Sequence, residues 1–194
     1  MTNYLHHVNG TIDVGAGPLP ASWGNTSGLN LLDDTALKAK GWLPVTGTAP
    51  TPNAHTQKVS GPTGCNVGDQ IDPEAESVQC QWTVSLLSDA VVIGKIKTEA
   101  QKRILALWGA GNFEHATAKQ LNAFARVCEL LEILAGGGSL NSGEQTELDS
   151  AKALRASTKA IRDYSNTLEA AYVLLTDEQK ATFDHTDNSH WSEE

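Results

Sequence analysis

The 194 residues carry 14 Lys and Arg against 23 Asp and Glu, a formal charge of −9, with 40% apolar residues. That balance argues against a nucleic-acid backbone or an anionic membrane surface as main partner, since both need clustered Lys and Arg. The length suits one large domain or two small ones, and no apolar run approaches the ~20 residues of a membrane span.

The opening MTNYLHHVNG has neither a basic n-region nor an apolar h-region, so no secretory signal is expected there. Asn9-Gly10 predicts a type I′ hairpin turn, which needs positive φ at both central residues. Tyr4, His6 and Val8 would share one face of the strand before it, and Ile12 and Val14 one face of the strand after it. His6 and His7 read as surface or partner-facing residues. Pro18 and Pro20 then interrupt any ladder.

Residues 27–45, SGLNLLDDTALKAKGWLPV, predict about two helical turns capped at Asp33 or Asp34, ended by Gly41 and barred from continuing by Pro44. Residues 46–75 read as a long loop with one short strand near Gln57–Val59. Val78, Cys80, Trp82, Val84 and Leu86 alternate as in a strand. Trp23, Trp42 and Trp82 are candidates for one aromatic cluster. Cys65, Cys80 and Cys128 are an odd number without C-x-x-C spacing, so free thiols in a cytoplasm are expected, with a Cys65–Cys80 bridge left open.

Composition changes near residue 88. Only Lys38, Lys40 and Lys58 are basic before it, and helix formers dominate after it. Val92, Ile96, Ala100, Ile104 and Trp108 repeat at helical spacing. So do Ala118, Leu121, Ala125, Cys128, Leu131 and Leu134. Ser142 with Gln145 predicts a capping box opening a helix that runs to about Leu175. In it Leu154, Ile161, Leu168 and Leu175 recur every seven residues as a packing or oligomer face, while Ala151, Thr158, Ser165 and Tyr172 form a weaker companion row. The expected fold is α+β: a small β-rich docking domain with one short helix over 1–88, a helical bundle or hairpin over 89–183, and a mobile acidic tail over 184–194.

No catalytic pattern stands out. Glu129 and Glu132 lie on one helix without a cleft to perturb them. The glycines at 136–138 follow a helix and lack the Lys-Ser/Thr of a phosphate loop. His185 and His190, with Asp184 and Asp187, sit in the polar tail with nothing to orient them on a metal. A small hydrolase would need a nucleophile–base pair, and none stands at a family spacing. The expectation is a protein that is not an enzyme and holds no metal or cofactor.

GPLPASWGNTSGLNLLDDTALKAKGWLPV (17–45), IKTEAQKRILALWGAGNFEHATAKQLNAFARVCEL (96–130) and LRASTKAIRDYSNTLEA (154–170) together resemble small proteins of tailed bacteriophages, of the tail-fibre or tail-fibre-assembly type. The most specific parts are Leu-Pro…Trp…Gly-Leu…Leu…Gly-Trp-Leu-Pro and EAQKRILAL…KQLNAFAR. The resemblance implies a structural component of the virion tail, made in the host cytoplasm. It would connect or decorate fibre and baseplate by protein–protein contacts, as a homo-oligomer or symmetric assembly. Trp23, Leu32, Leu37, Trp42, Leu43 and Pro44 would then face the fibre or baseplate protein, since Trp is enriched at interface hot spots. The alternative is a fibre-assembly chaperone that leaves before maturation.

Overall fold

The first strand, β1 (Asn3–Val8), turns at Asn9 and Gly10 into β2 (Thr11–Pro18). Both turn residues have positive φ, 50° and 81°, as the type I′ geometry requires. The computed structural model describes residues 2–191, and the chain divides into two compact units, Met1–Ser85 and Leu86–Glu194. The fold is α+β, strands first and long helices after.

In the first unit, β5 (Trp42–Thr46) pairs antiparallel with β1, and β7 (Val78–Gln79) pairs parallel with β5, giving the order β2-β1-β5-β7. The β1–β2 register slips twice: Tyr4 faces Gly17, His6 faces Val14 and His7 faces Ile12. Each slip inserts one extra residue on β2, and the second is Asp13. A bulge of this kind reverses side-chain alternation. Ile12 therefore joins Leu5, Leu43, Cys65, Val78 and Cys80 on one side, while Val14 packs with Leu29, Leu37 and Trp42 on the other. The expected shared face of Ile12 and Val14 is corrected by that single inserted residue.

Both sheet faces are thus covered. One cover is α1 (Asp34–Lys38), where the Asp33 carboxylate accepts the Ala36 N–H at 2.8 Å. The chain leaves it through Gly41, at φ 78°, where a Cβ would lie 2.5 Å from the His7 carbonyl oxygen. Two small two-stranded sheets complete the unit: β3 (Ser22–Trp23) antiparallel to β4 (Thr26–Ser27), and β6 (Gln57–Thr63) beside β8 (Gln81–Leu86). The alternating run from Val78 to Leu86 is split at Cys80, whose N–H bonds to Thr46, so one predicted strand serves two sheets.

Cys65 and Cys80, expected as free thiols, form a disulfide with Cα atoms 5.5 Å apart inside the buried cluster, and Cys128 remains free. The pair stands at a sequence separation of 15, so spacing alone gave no sign of it. Their meeting depends on β7 carrying Cys80 back beneath the sheet.

The second unit is built on α4 (Ser142–Val173), against which α2 (Asp89–Leu107) and α3 (Phe113–Ala135) both pack. Its capping box uses Asn141 and Glu144 rather than Ser142 and Gln145; the Asn141 side chain accepts the Gly143 and Glu144 N–H groups. Lys97–Glu169 and Trp108–Thr158 contacts run α2 antiparallel to α4. Val92, Ile96, Ala100 and Ile104 are buried as their spacing predicts. On α4 the buried residues are Leu148, Thr158, Ser165, Leu168 and Tyr172, while Leu154, Ile161 and, just past its end, Leu175 are only partly buried. Small polar side chains there admit α2 closely, so the expected weak row is the seam.

A short helix, α5 (Asp177–Thr182), is capped by Thr176 and Gln179 as predicted. The expected mobile tail at 184–194 is corrected over its described part. A 3-10 turn at Asn188–Trp191 brings Trp191 into the core with Val92, Ile96, Tyr172 and Phe183. The Trp191 indole N–H donates to the His185 carbonyl at 3.0 Å, and Asp184 accepts from Thr186 to close the turn before it. Residues 192–194 lie outside the described residues. Among the described residues no helix is long and apolar enough to cross a membrane.

Candidate functional site

The docking surface predicted around Trp42 is not presented as one patch. Leu37, Trp42 and Leu43 are at most 1% exposed, and Trp42 and Leu43 point to opposite sides of the sheet. Leu32 and Pro44 are half-buried, and Trp23 is 42% exposed. The correction is physical: β5 is a central strand, so its alternating side chains fill two cores. Trp23 meets Trp42 edge-on at 5.7 Å, and the third ring of that cluster is His6 rather than Trp82, which sits on β8 beside Gly61.

His6 is itself buried, not surface-facing as expected. Its Nδ1 lies 2.6 Å from Asp13 Oδ1 and its Nε2 3.0 Å from the Lys40 carbonyl. This His–Asp pair superficially resembles half of a catalytic triad. Yet both ring nitrogens are engaged by the fold, leaving neither to take a proton from a nucleophile. Its role is to tie the β2 bulge to the turn after α1. His7, next to it, is held below the usual histidine range by burial and then by His6.

The second unit carries a surface that the sequence reading did not assemble. On α3 only Ala116 and Leu130 are buried, whereas Phe113, Leu121 and Phe124 are 61%, 63% and 57% exposed. Leu121, Phe124, Cys128 and Leu131 follow the 3-4-3 spacing of one helix stripe, and none of them is buried. A helix covered on so little of its apolar arc, with this much aromatic and aliphatic area in water, is a candidate contact site. The predicted face Ala118–Leu121–Ala125–Cys128–Leu131–Leu134 is therefore the outward one. The side turned inward is Ala116, Ala123, Val127 and Leu130.

Between α3 and α4 runs a groove of about 650 Å³. Leu121, Phe124 and Val127 form one wall, with Trp108 and Thr158 beside them. The opposite wall, on α4, is Lys152, Arg155, Lys159 and Arg162, again at 3-4-3 spacing. Lys159 is paired with Asp163, the one acid lining the groove. Lys152, Arg155 and Arg162 have no acidic partner among the described residues, although the chain has nine more acidic than basic side chains. Most other cations of this unit are paired: Lys97 to Glu169, Arg103 to Glu99 and Lys180 to Asp89. Near the hairpin end, Arg126 bridges Glu147 and Glu129 at 2.9 and 3.0 Å, contacts that raise its guanidinium pKa further. Charge is mostly neutralised around the groove, while inside it three of the four α4 cations have no acidic partner among the described residues.

The chain matches no protein-family model, no curated protein and no solved structure.

Proposed function

We propose that the chain is a non-enzymatic structural protein of a bacteriophage tail that joins or decorates tail fibre and baseplate through protein–protein contacts. The observation that carries the binding part is the outward α3 stripe, Leu121–Phe124–Cys128–Leu131, exposed beside a groove. The phage assignment rests on the resemblance of residues 17–45, 96–130 and 154–170 to tail-fibre and fibre-assembly proteins. Neither part calls for chemistry: the His–Asp pair is spent on the fold, and the groove offers hydrophobic area and charge.

Quantitative mass spectrometry of purified particles tests the reading. Copies in fixed ratio to the fibre support a structural connector. Abundance in infected cells with absence from particles would replace it with an assembly chaperone.

A further inference from the structure

The groove has two unlike walls, and together they specify what fits between them. The α3 wall is apolar over Leu121, Phe124 and Val127. The α4 wall is a cationic stripe in which Lys152, Arg155 and Arg162 lack acidic partners among the described residues. The α3 wall recurs every three residues and the α4 wall every three and four, so each is one face of its helix. The lining runs from Thr117 to Val127 on α3 and from Ala151 to Asn166 on α4, roughly 15 and 22 Å at the helical rise, so the trough can accept about three to four turns of a partner helix.

We infer that the groove docks an amphipathic helix of a partner protein whose apolar stripe is flanked on one side by Asp and Glu. The apolar stripe would cover Leu121 and Phe124, and the acidic flank would meet Arg155 and Arg162. Charge complementarity fixes both the sign of the partner and its orientation about its own axis, since a reversed helix would set its apolar face against guanidinium groups. A second copy of this chain is the less suitable occupant. The exposed α3 stripe that it would insert has Lys119 and Arg126 beside it as well as Glu129 and Glu132, a mixed flank. The inference rests on the reading of the chain as a protein-binding component, and specifies the chemistry of the bound segment.

The test uses the full chain and labelled model peptides of about 18 residues, five helical turns, with Leu and Ala along one face. One peptide carries Glu along a flank and the other carries Lys at the same positions. Fluorescence anisotropy is expected to show the Glu peptide binding about tenfold or more tighter than the Lys peptide, with the preference shrinking as salt is raised. Arg155→Glu with Arg162→Glu should remove that preference, Arg155→Lys with Arg162→Lys should keep most of it, and Leu121→Gln with Phe124→Gln should weaken both peptides. All four positions are exposed, so the variants retain the fold, which circular dichroism checks. Equal binding of the two peptides, or none, overturns the inference. So does sedimentation showing a dimer that Phe124→Gln dissolves, which would assign the groove to a second copy. Capture by phosphatidylglycerol vesicles that needs Arg155 and Arg162 would also overturn it, in favour of a lipid surface. Failure here with the protein present in particles leaves the tail reading standing; peptide selectivity with the protein absent from particles does the reverse.

Discussion

Trp108 donates its indole N–H to the Thr158 hydroxyl over 2.9 Å, and that hydroxyl donates on to the Leu154 carbonyl at 2.8 Å. The contact joins the end of α2 to the middle of α4 at the edge of the groove. It also explains how a polar residue comes to be buried on a packing seam: Thr158 is 5% exposed, yet its hydroxyl is satisfied as both donor and acceptor.

Thr158→Val keeps the shape of the side chain and removes both bonds. Leaving the partly buried indole N–H without a partner should cost about 1–2 kcal/mol of stability, read as a lower urea midpoint. Thr158→Ser should recover most of it. A valine variant as stable as the parent would mean that water replaces the hydroxyl and that the bond contributes nothing net.

The Trp191 side chain should matter far more than its place in a polar stretch suggests. It is 8% exposed, lies under the Arg103 guanidinium at 4.9 Å from the ring centroid, and belongs to the cluster that holds Val92, Ile96 and Tyr172. Arg103 in turn donates to the Thr186 carbonyl and to Asn188 Oδ1. Trp191→Ala is expected to cost about 3–5 kcal/mol, the range for emptying a buried aromatic site, and removal of residues 184–194 at least as much. Thermal unfolding followed by circular dichroism at 222 nm, the standard helix signal, measures both. A truncated chain with an unchanged transition would restore the mobile-tail reading.

Much of the fold was legible because many segments bury one consistent face. The α2 positions 92, 96, 100 and 104 are buried in register with their spacing, and Asn9-Gly10 forms the turn its residues require. What escaped has specific causes. The Asp13 bulge inverts the β2 alternation without leaving a composition signal. One Trp among Asp, Asn, Ser and Glu cannot lift a window's hydropathy, so the packed turn at 188–191 read as tail. Periodicity on α3 located an apolar stripe, but no pattern within a helix says whether a second helix covers it. The cationic 152-155-159-162 stripe was equally visible in the letters. Only the α3–α4 pairing sets it opposite Leu121 and Phe124.

The Cys65–Cys80 bond should be a main support of the first unit, whose strands are short. Closing a loop of this length removes chain entropy worth about 3 kcal/mol in the cross-link model, across a sequence separation of 15. Cys65→Ala with Cys80→Ala, or dithiothreitol at neutral pH, should therefore lower the hydrogen-exchange protection of β1 and β5 amides by about a hundredfold, the factor that 3 kcal/mol implies within an order of magnitude. Unchanged protection after confirmed reduction would mean that the Leu5–Ile12–Leu43 packing holds the sheet unaided.

Tyr172 supplies a pH dependence whose sign can be worked out. Its ring is fully buried and its hydroxyl has no hydrogen-bond partner among the described residues. Burial raises the phenol pKa above its ordinary value, partly offset by the nearby Lys180 ammonium. Above about pH 10 the unfolded phenol loses its proton while the folded one keeps it, so stability falls as pH rises through that range. Lys180, raised mainly by its hydrogen bond to Asp89, loses its contribution on the same alkaline side. Tyr172→Phe should remove the first effect and leave the second. At pH 7 the same change deletes an unpaired hydroxyl, so the variant should equal the parent or exceed it by up to about 1 kcal/mol. Chemical unfolding at pH 7, 9, 10 and 11 compares the two proteins. Their midpoints should diverge in favour of Phe as the solution becomes alkaline, whereas parallel curves would mean that Tyr172 remains neutral in both states or is reached by water in the fold.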